Sequence, residues 1–312
     1  MKTQIVYTLI SSEKDYFLEE ATVNVLVDEP TRKYMEEFPE LCDMITNIVV
    51  VPVPENNNAK QRSRVIKTTV RNVIDGAYLF VDTDTVICKP LDDIDSLTCD
   101  MAAVPDGHLP LSECMFPPTN SVNKIFKTDV SDSKYWFNSG VMFVADNELT
   151  RKFYKRWNEN WTYSCFKKGQ SQDQPALLAT DKEFGYLISE LPGIYNAQVA
   201  MSLKYFADAA IVHWWHMSFI ENQDYSPYFS LQIYKDVKKF KGLSEETIEL
   251  IKHCKQSFAS PSMPVGKEHI YFLFSPAGKI FNRIYKEGGV ACFLMNKCAS
   301  ILEKIHKYTK KK

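Results

Sequence analysis

Short β-branched or aromatic runs recur through the first half of the chain: Gln4 to Leu9, Val23 to Val27, Ile48 to Val53, Tyr78 to Val81, Met101 to Val104 and Val141 to Ala145. They alternate with helical patterns, which predicts an α/β fold with a mostly parallel central sheet flanked by helices. Between the third and fourth runs, Ile66, Val70, Val73 and Ile74 fall at i, i+4, i+7 and i+8, while Lys60, Arg64, Lys67 and Arg71 share another side. This spacing predicts a helix over 60–74 with one core face and one cationic face. The polar cluster Glu55 to Asn58, after Pro52 and Pro54, reads as a turn and a place for a mobile loop.

The pattern changes after residue 240. Helical periodicity marks Glu245 to Gln256, Lys279 to Lys286 and Ala291 to Lys307, with a Pro-containing break at 260–264. We therefore expect an α/β domain over 1–240 and a helical, basic C-terminal appendage over 241–312. From Ser275 onward nine basic residues face two acidic ones, a net charge of about +7. On the last helix Leu294, Cys298, Ile301, Leu302 and Ile305 form an apolar stripe with Lys297, Lys304 and Lys307 off it. Such a stripe either packs on the body of the protein or lies on an anionic membrane surface.

Composition narrows the classes. The chain has 312 residues, 45% of them hydrophobic, enough to bury a sizeable core, which argues against disorder. Its 37 basic and 39 acidic residues nearly cancel, so no global field favours nucleic acid. The eight cysteines make no C-x-x-C pair and no dense framework, which fits free thiols in a reducing compartment. The apolar run near the N-terminus is too short for a signal peptide core, and no segment is long enough to span a bilayer. A cytoplasmic protein is expected, with peripheral contact at the inner face of the membrane if the tail binds lipid.

The chemistry centres on Tyr78-Leu-Phe-Val-Asp82-Thr83-Asp84-Thr85. A buried strand running into Asp-x-Asp places two carboxylates at the C-terminal strand edge, where open α/β sheets bind ligands. Two hard oxygen donors at i and i+2 suit Mg²⁺ or Mn²⁺ carrying phosphate oxygens; the plainer reading is a pair of turn-capping aspartates. Asp82-Thr-Asp84-Thr-Val86 also matches the motif of haloacid dehalogenase-type phosphohydrolases, with Asp82 as nucleophile. In that family the motif opens the chain, whereas three strand signals precede it here.

Further segments add polar groups at strand and helix ends. Asn138-Ser139-Gly140 stands just before a strand signal, where Gly admits a close ligand and Asn can donate and accept. Asp173-Gln174-Pro175 begins a helical pattern. His213 ends the apolar run from Ala209 and can supply nitrogen to a borderline metal such as Mn²⁺. Asp106 follows the strand after Asp-x-Asp, giving a third carboxylate at a strand end. The Pro117 to Ser133 segment reads as a loop, either a lid that excludes water or a surface insertion.

In this order and spacing, these residues resemble the family 8 glycosyltransferases, the glycogenin-like and bacterial lipopolysaccharide galactosyltransferase-like enzymes, over roughly Thr3 to Trp215. The resemblance implies a GT-A fold, a nucleoside diphosphate sugar donor, commonly a UDP-sugar, Mn²⁺ (or Mg²⁺), and retention of anomeric configuration. It makes Asp82, Asp84 and His213 the metal ligands. It places Tyr7, Thr8 and Leu9 against the uridine, and Lys67, Thr83, Asp106, Asn138 and Ser139 on the donor. Asp173 and Gln174 correspond to the pair near the anomeric carbon. Where the family has a Gly and then a Lys after the metal-binding His, this chain has His216 and Phe219. The implied activity is hexosyl transfer to a glycan or lipid-linked acceptor, as in surface polysaccharide synthesis; a phosphohydrolase and a non-catalytic nucleotide-sugar binder are the alternatives.

Overall fold

Alternation within the strands builds two cores on one sheet. Tyr78 and Phe80 on β4 (Tyr78–Val81), Met101 and Ala103 on β6 (Met101–Pro105), and Met142 and Val144 on β7 (Phe137–Val144) face one cluster. Leu79, Val81, Ala102, Val104, Val141 and Phe143 face the other. Residues two apart share a face, so each apolar run serves both sides. The first cluster is completed by Ile66, Phe153, Trp157, Trp161, Ala176 and Leu177 from the helices α3 (Ala59–Thr69), α5 (Glu148–Lys168) and α6 (Gln174–Glu183). The computed structural model describes residues 4–7, 21–43, 45–114, 118–199, 202–214, 231–255 and 275–309.

The strands β1 (Gln4–Tyr7), β2 (Val23–Val27), β3 (Asn47–Val50), β4, β6, β7 and β8 (Ile188–Glu190) form a seven-stranded sheet in the order β3-β2-β1-β4-β7-β6-β8. β7 is antiparallel to both its neighbours and every other pair is parallel, as the mostly parallel sheet required. A second sheet joins β5 (Thr85–Ile87), β10 (Ile211–His213) and β9 (Ala197–Gln198), with β5 antiparallel to β10. Smaller helices are α1 (Glu29–Met35), α2 (Pro39–Asp43) and α4 (Thr119–Phe126).

Several expectations are corrected. Residue 58 is a helix cap: the Asn58 side chain accepts from Gln61 N and the Gln61 side chain accepts from Asn58 N, so Glu55 to Asn58 leads into a closed capping box. The helix over 60–74 stops at Thr69 and tightens into a 3₁₀ turn over Val70–Asn72; Thr68 and Thr69 bond back to the carbonyls of Arg64 and Val65. Its cationic side is not solvent-facing throughout. Lys67 and Arg71 are buried, Arg71 donating to Gly76 O at 2.7 Å and lying over the Tyr78 ring. The segment 118–133 is no open loop: it holds α4, whose Val122 packs with Val130, Leu178 and Ala179. Asn138, Ser139 and Gly140 lie inside β7 rather than before it.

The chain divides into two compact units, 1–263 and 264–312, a boundary later than the one read from the sequence at 240. The first unit also holds α7 (Leu231–Phe240) and α8 (Glu245–Lys252), and Cys254, just beyond α8, is buried with Ala197, Val212 and Trp214. The second holds α9 (Pro276–Glu287) and α10 (Gly289–Thr309), joined through Tyr285 Oη donating to Asn296. No helix among the described residues is long and apolar enough to cross a membrane. Thr8, Leu9, Trp215, His216, Phe219 and the 260–264 break lie outside the described residues; Tyr7 ends β1.

Candidate functional site

Reversal of β7 is what assembles the site. Because β7 runs against β4, its first residues stand beside the C-terminal end of β4, and Asp82 N donates to Gly140 O at 2.7 Å. Thr85 Oγ1 then donates to Asp82 O at 2.7 Å and closes a tight turn that turns the chain into β5. Pairing of β5 with β10 sets Thr85 opposite His213, and Trp214 N donates to Asp84 O at 2.8 Å. One ligand atom each from Asp82, Asp84 and His213 consequently lies within 4.8 Å of the other two. The His213 Nε2 atom is 3.2 Å from Asp84 Oδ1, yet is buried without an aligned hydrogen-bond partner.

The protonation of that ring follows from the bonds around it. Gly140 N can only donate, and it donates to Asn138 Oδ1 at 2.9 Å, so Asn138 Nδ2 is the atom that meets Asp106 Oδ1 at 2.8 Å. Asn138 Oδ1 also accepts from Asn196 Nδ2 at 3.1 Å, which turns Asn196 Oδ1 toward His213 Nδ1, 2.9 Å away. Since Asn196 Oδ1 can only accept, Nδ1 carries the proton. In the neutral ring Nε2 is then the nitrogen whose lone pair faces the two aspartates. Two hard carboxylates and one imidazole nitrogen without a partner fit a divalent cation such as Mn²⁺ or Mg²⁺. Gly140 makes room for this: a Cβ there would stand 2.3 Å from His213 Cε1. The glycine admits the histidine ring itself, where the sequence had pointed to a ligand.

A second cluster surrounds Asp173. This residue is the N-cap of α6, but its side chain caps nothing. Its carboxylate instead takes Arg64 Nε at 2.8 Å and Ser139 Oγ at 2.8 Å, with Lys67 Nζ at 3.8 Å. Lys67, nearly fully buried, reaches Asp82 at 2.9 and 3.1 Å. Ser139 thus contributes its hydroxyl to Asp173. Gln174 turns its amide nitrogen to Asp106 Oδ1 at 3.1 Å, next to Asn138. Thr83 lies in the turn between the two aspartates.

Burial and charge pull these carboxyls apart. Burial pushes Asp82 up, helped by the Asp84 charge and resisted by Lys67. Asp84 is also penalised by burial, but His213 beside it brings the carboxyl below its ordinary value. Asp173 is likewise lowered, because Arg64, Lys67 and Ser139 outweigh burial, and Arg64 is raised in return by Asp173. Asp106 is pushed up by burial even though Asn138 and Gln174 donate to it.

Asp82, Asp84, His213, Lys67, Asp106, Asn138, Ser139, Asp173 and Gln174 thus form one connected set. Asn196 was not singled out from the sequence. Its only local signal is a polar position among buried neighbours at 193–199, common in any core. Arg64 is legible as a helix-borne cation, but not its pairing with Asp173.

A sheet of this order with one reversed strand, carrying Asp-x-Asp at a strand end, is the α/β arrangement of the GT-A fold. Residues 76–218 match the model of glycosyl transferase family 8. No curated protein matches the chain in sequence. Among solved structures it is similar to the bifunctional glycosyltransferase WbbM at 13% identity, covering 80% of this chain and 51% of that one with a TM-score of 0.49. It is also similar to the glycosyltransferase GlyE of Streptococcus pneumoniae TIGR4 (14% identity, 83% and 66% covered, TM-score 0.42) and to the galactosyltransferase LgtC in complex with donor and acceptor sugar analogs (14%, 78% and 98%, 0.46). The chain thus spans about half the length of WbbM.

Proposed function

We propose that the protein transfers a hexose from a nucleoside diphosphate sugar, a UDP-sugar, to a glycan or lipid-linked acceptor with retention of configuration. The observation that carries this reading is the meeting of Asp82, Asp84 and an imidazole nitrogen without a partner beside the buried Lys67 and the half-buried Arg64. Asp82, Asp84 and His213 would hold Mn²⁺ or Mg²⁺, which when bound supplies Lewis-acid stabilisation of the leaving diphosphate. Lys67 and Arg64 add positive charge at the same edge. Asp106 and Asn138 orient sugar hydroxyls, one as acceptor and the other through its amide. Tyr7, Thr8 and Leu9 take the nucleoside, and Thr83 and Ser139 complete the donor contacts.

At the anomeric centre the geometry favours Gln174. The Asp173 carboxylate is engaged by Arg64 and Ser139, with Lys67 close by, which weakens it as a nucleophile for double displacement. Gln174, with its amide nitrogen on Asp106, offers Oε1 to steady positive charge developing on the sugar. Asp173 then positions Arg64 and Lys67. The match of residues 76–218 to the glycosyl transferase family 8 model supports this reading over the phosphohydrolase alternative.

For the second unit, we propose peripheral contact with anionic lipid at the cytoplasmic face of a membrane, through Lys297, Lys304 and Lys307 and the exposed Leu294, Ile301, Leu302 and Ile305. Deleting 275–312 is expected to abolish binding to anionic liposomes; equal binding by the truncated chain would overturn it.

The donor site is tested by calorimetric titration with UDP, GDP and CDP, each with and without Mn²⁺. One nucleotide binding only with metal, and no longer after Asp82→Ala, is the expected result. Metal-independent binding, or none, would refute the reading.

A further inference from the structure

Cys88 and Cys254 are far apart in sequence, yet their Sγ atoms are 3.0 Å apart. Both are held by the same stretch of chain. Cys88 directly follows β5, and its N–H donates to Ala210 O at 2.7 Å. Beside Cys254, the Lys255 ammonium donates to Ala207 O at 3.1 Å and Ala209 O at 2.7 Å. The segment 207–210 therefore fixes both sulfurs before it continues into β10, and the cluster of Ala197, Val199, Val212 and Trp214 packs around Cys254. Closing from 3.0 Å to a bond of roughly 2.05 Å asks for a movement of about 1 Å, within the reach of side-chain rotation.

We propose that Cys88 and Cys254 are a reversible redox site, oxidised by hydrogen peroxide to a disulfide that staples β5 to the segment following α8. In the first step the Cys254 thiolate attacks one peroxide oxygen; the O–O bond breaks, hydroxide leaves and takes up the thiol proton as water, and a sulfenic acid forms. In the second, the Cys88 sulfur attacks the Cys254 sulfur, the S–O bond breaks and a second water leaves with the Cys88 proton. Two thiols and one peroxide give one disulfide and two waters. Cys254 is the attacking group because the neighbouring Cys88 and the Lys255 ammonium hold its thiol below the usual range, while Cys88 is held above it. The staple closes a long loop that contains Asp106, Asn138, Asp173 and His213, so its principal effect is on stability.

The test treats the full chain with hydrogen peroxide, follows intact mass and alkylation, and maps disulfide-linked peptides. The expected result is a loss of about 2 Da, two fewer alkylated thiols, a linked peptide pair bearing Cys88 and Cys254, and full reversal by dithiothreitol. A rise in Tm of roughly 5 °C or more accompanies it. Cys88→Ser and Cys254→Ser are each expected to remove the linked pair while the remaining thiols alkylate as before. A disulfide joining other cysteines, or both thiols remaining alkylable after treatment, overturns the proposal, and this wild-type peptide map decides even if a variant fails to fold.

Discussion

Asn196→Ala tests whether a residue that touches neither metal nor donor controls the site. In the wild-type chain, Gly140 N sets Asn138, Asn138 sets Asn196, and Asn196 Oδ1 holds the proton on His213 Nδ1. The alanine removes the acceptor and leaves a buried N–H without a partner, at a cost of about 1–3 kcal/mol. The ring can escape that cost by moving its proton to Nε2, which would then donate to Asp84, 3.2 Å away, and remove the lone pair the cation needs. Supporting hydrogen bonds of this kind typically change metal affinity by about 10–100-fold, or roughly 1.4–2.7 kcal/mol. We expect Mn²⁺ binding, read from the electron paramagnetic resonance of the free ion, to weaken by that factor. Nitrogen NMR of ¹⁵N-histidine-labelled apo protein, with His213 assigned by its loss in His213→Gln, should show a protonated Nδ1 in the wild type. An Nε2-protonated ring in the wild type, or unchanged Mn²⁺ affinity in Asn196→Ala, would refute the argument. A correct ring without Mn²⁺ binding would instead count against the metal-dependent function.

Other outcomes follow from the same contacts. Gly140→Ala puts a methyl 2.3 Å from His213 Cε1 and 2.9 Å from Asn138 Oδ1, so Mn²⁺ binding should fall at least as far as in Asn196→Ala while circular dichroism stays native; unchanged binding would contradict the close approach. Lys67→Met leaves Asp82 and Asp173 without their shared cation, and a loss of about 3–5 kcal/mol in urea unfolding is expected, part of it restored by saturating Mn²⁺. A variant as stable as wild type without metal would show that the pair contributes nothing. Burial holds the Asp181 carboxyl at about 6, above its ordinary value, although Ile188 N donates to it. The folded state thus favours the protonated acid, and that advantage is lost as pH rises through 6. Asp181→Asn should be indistinguishable from wild type near pH 4 and more stable above pH 6, by up to about 3 kcal/mol. A stability difference independent of pH would exclude this.

The strands around the site were legible because each carries its own signal. An apolar run of four ending in Asp82 reads as a buried strand with carboxylates at its tip, and alternation assigns Tyr78 and Phe80 to one core and Leu79 and Val81 to the other without further information. Glu55 and Asn56 form the turn that was read, but the Asn58 cap was not foreseen, because a polar cluster after two prolines looks the same whether it ends in a loop or in a capping box. Burial of Lys67 and Arg71 was also invisible, since helical spacing shows which side chains share a side but not what that side meets.

By itself, then, the sequence determined the α/β class, the Asp-x-Asp at a strand end, the candidate His213 and the basic helical tail, because hydrophobic period and motif are local properties. Tertiary structure alone decided that β7 runs backwards, bringing Asn138, Ser139 and Gly140 to the edge where Asp82 ends. It also decided that β5 and β10 pair, which sets His213 beside Asp84, and that Asn196 fixes the ring between them. Strand direction, strand pairing and side-chain bonds between distant positions depend on how the whole chain closes its hydrogen bonds and core, and no short window of residues encodes them.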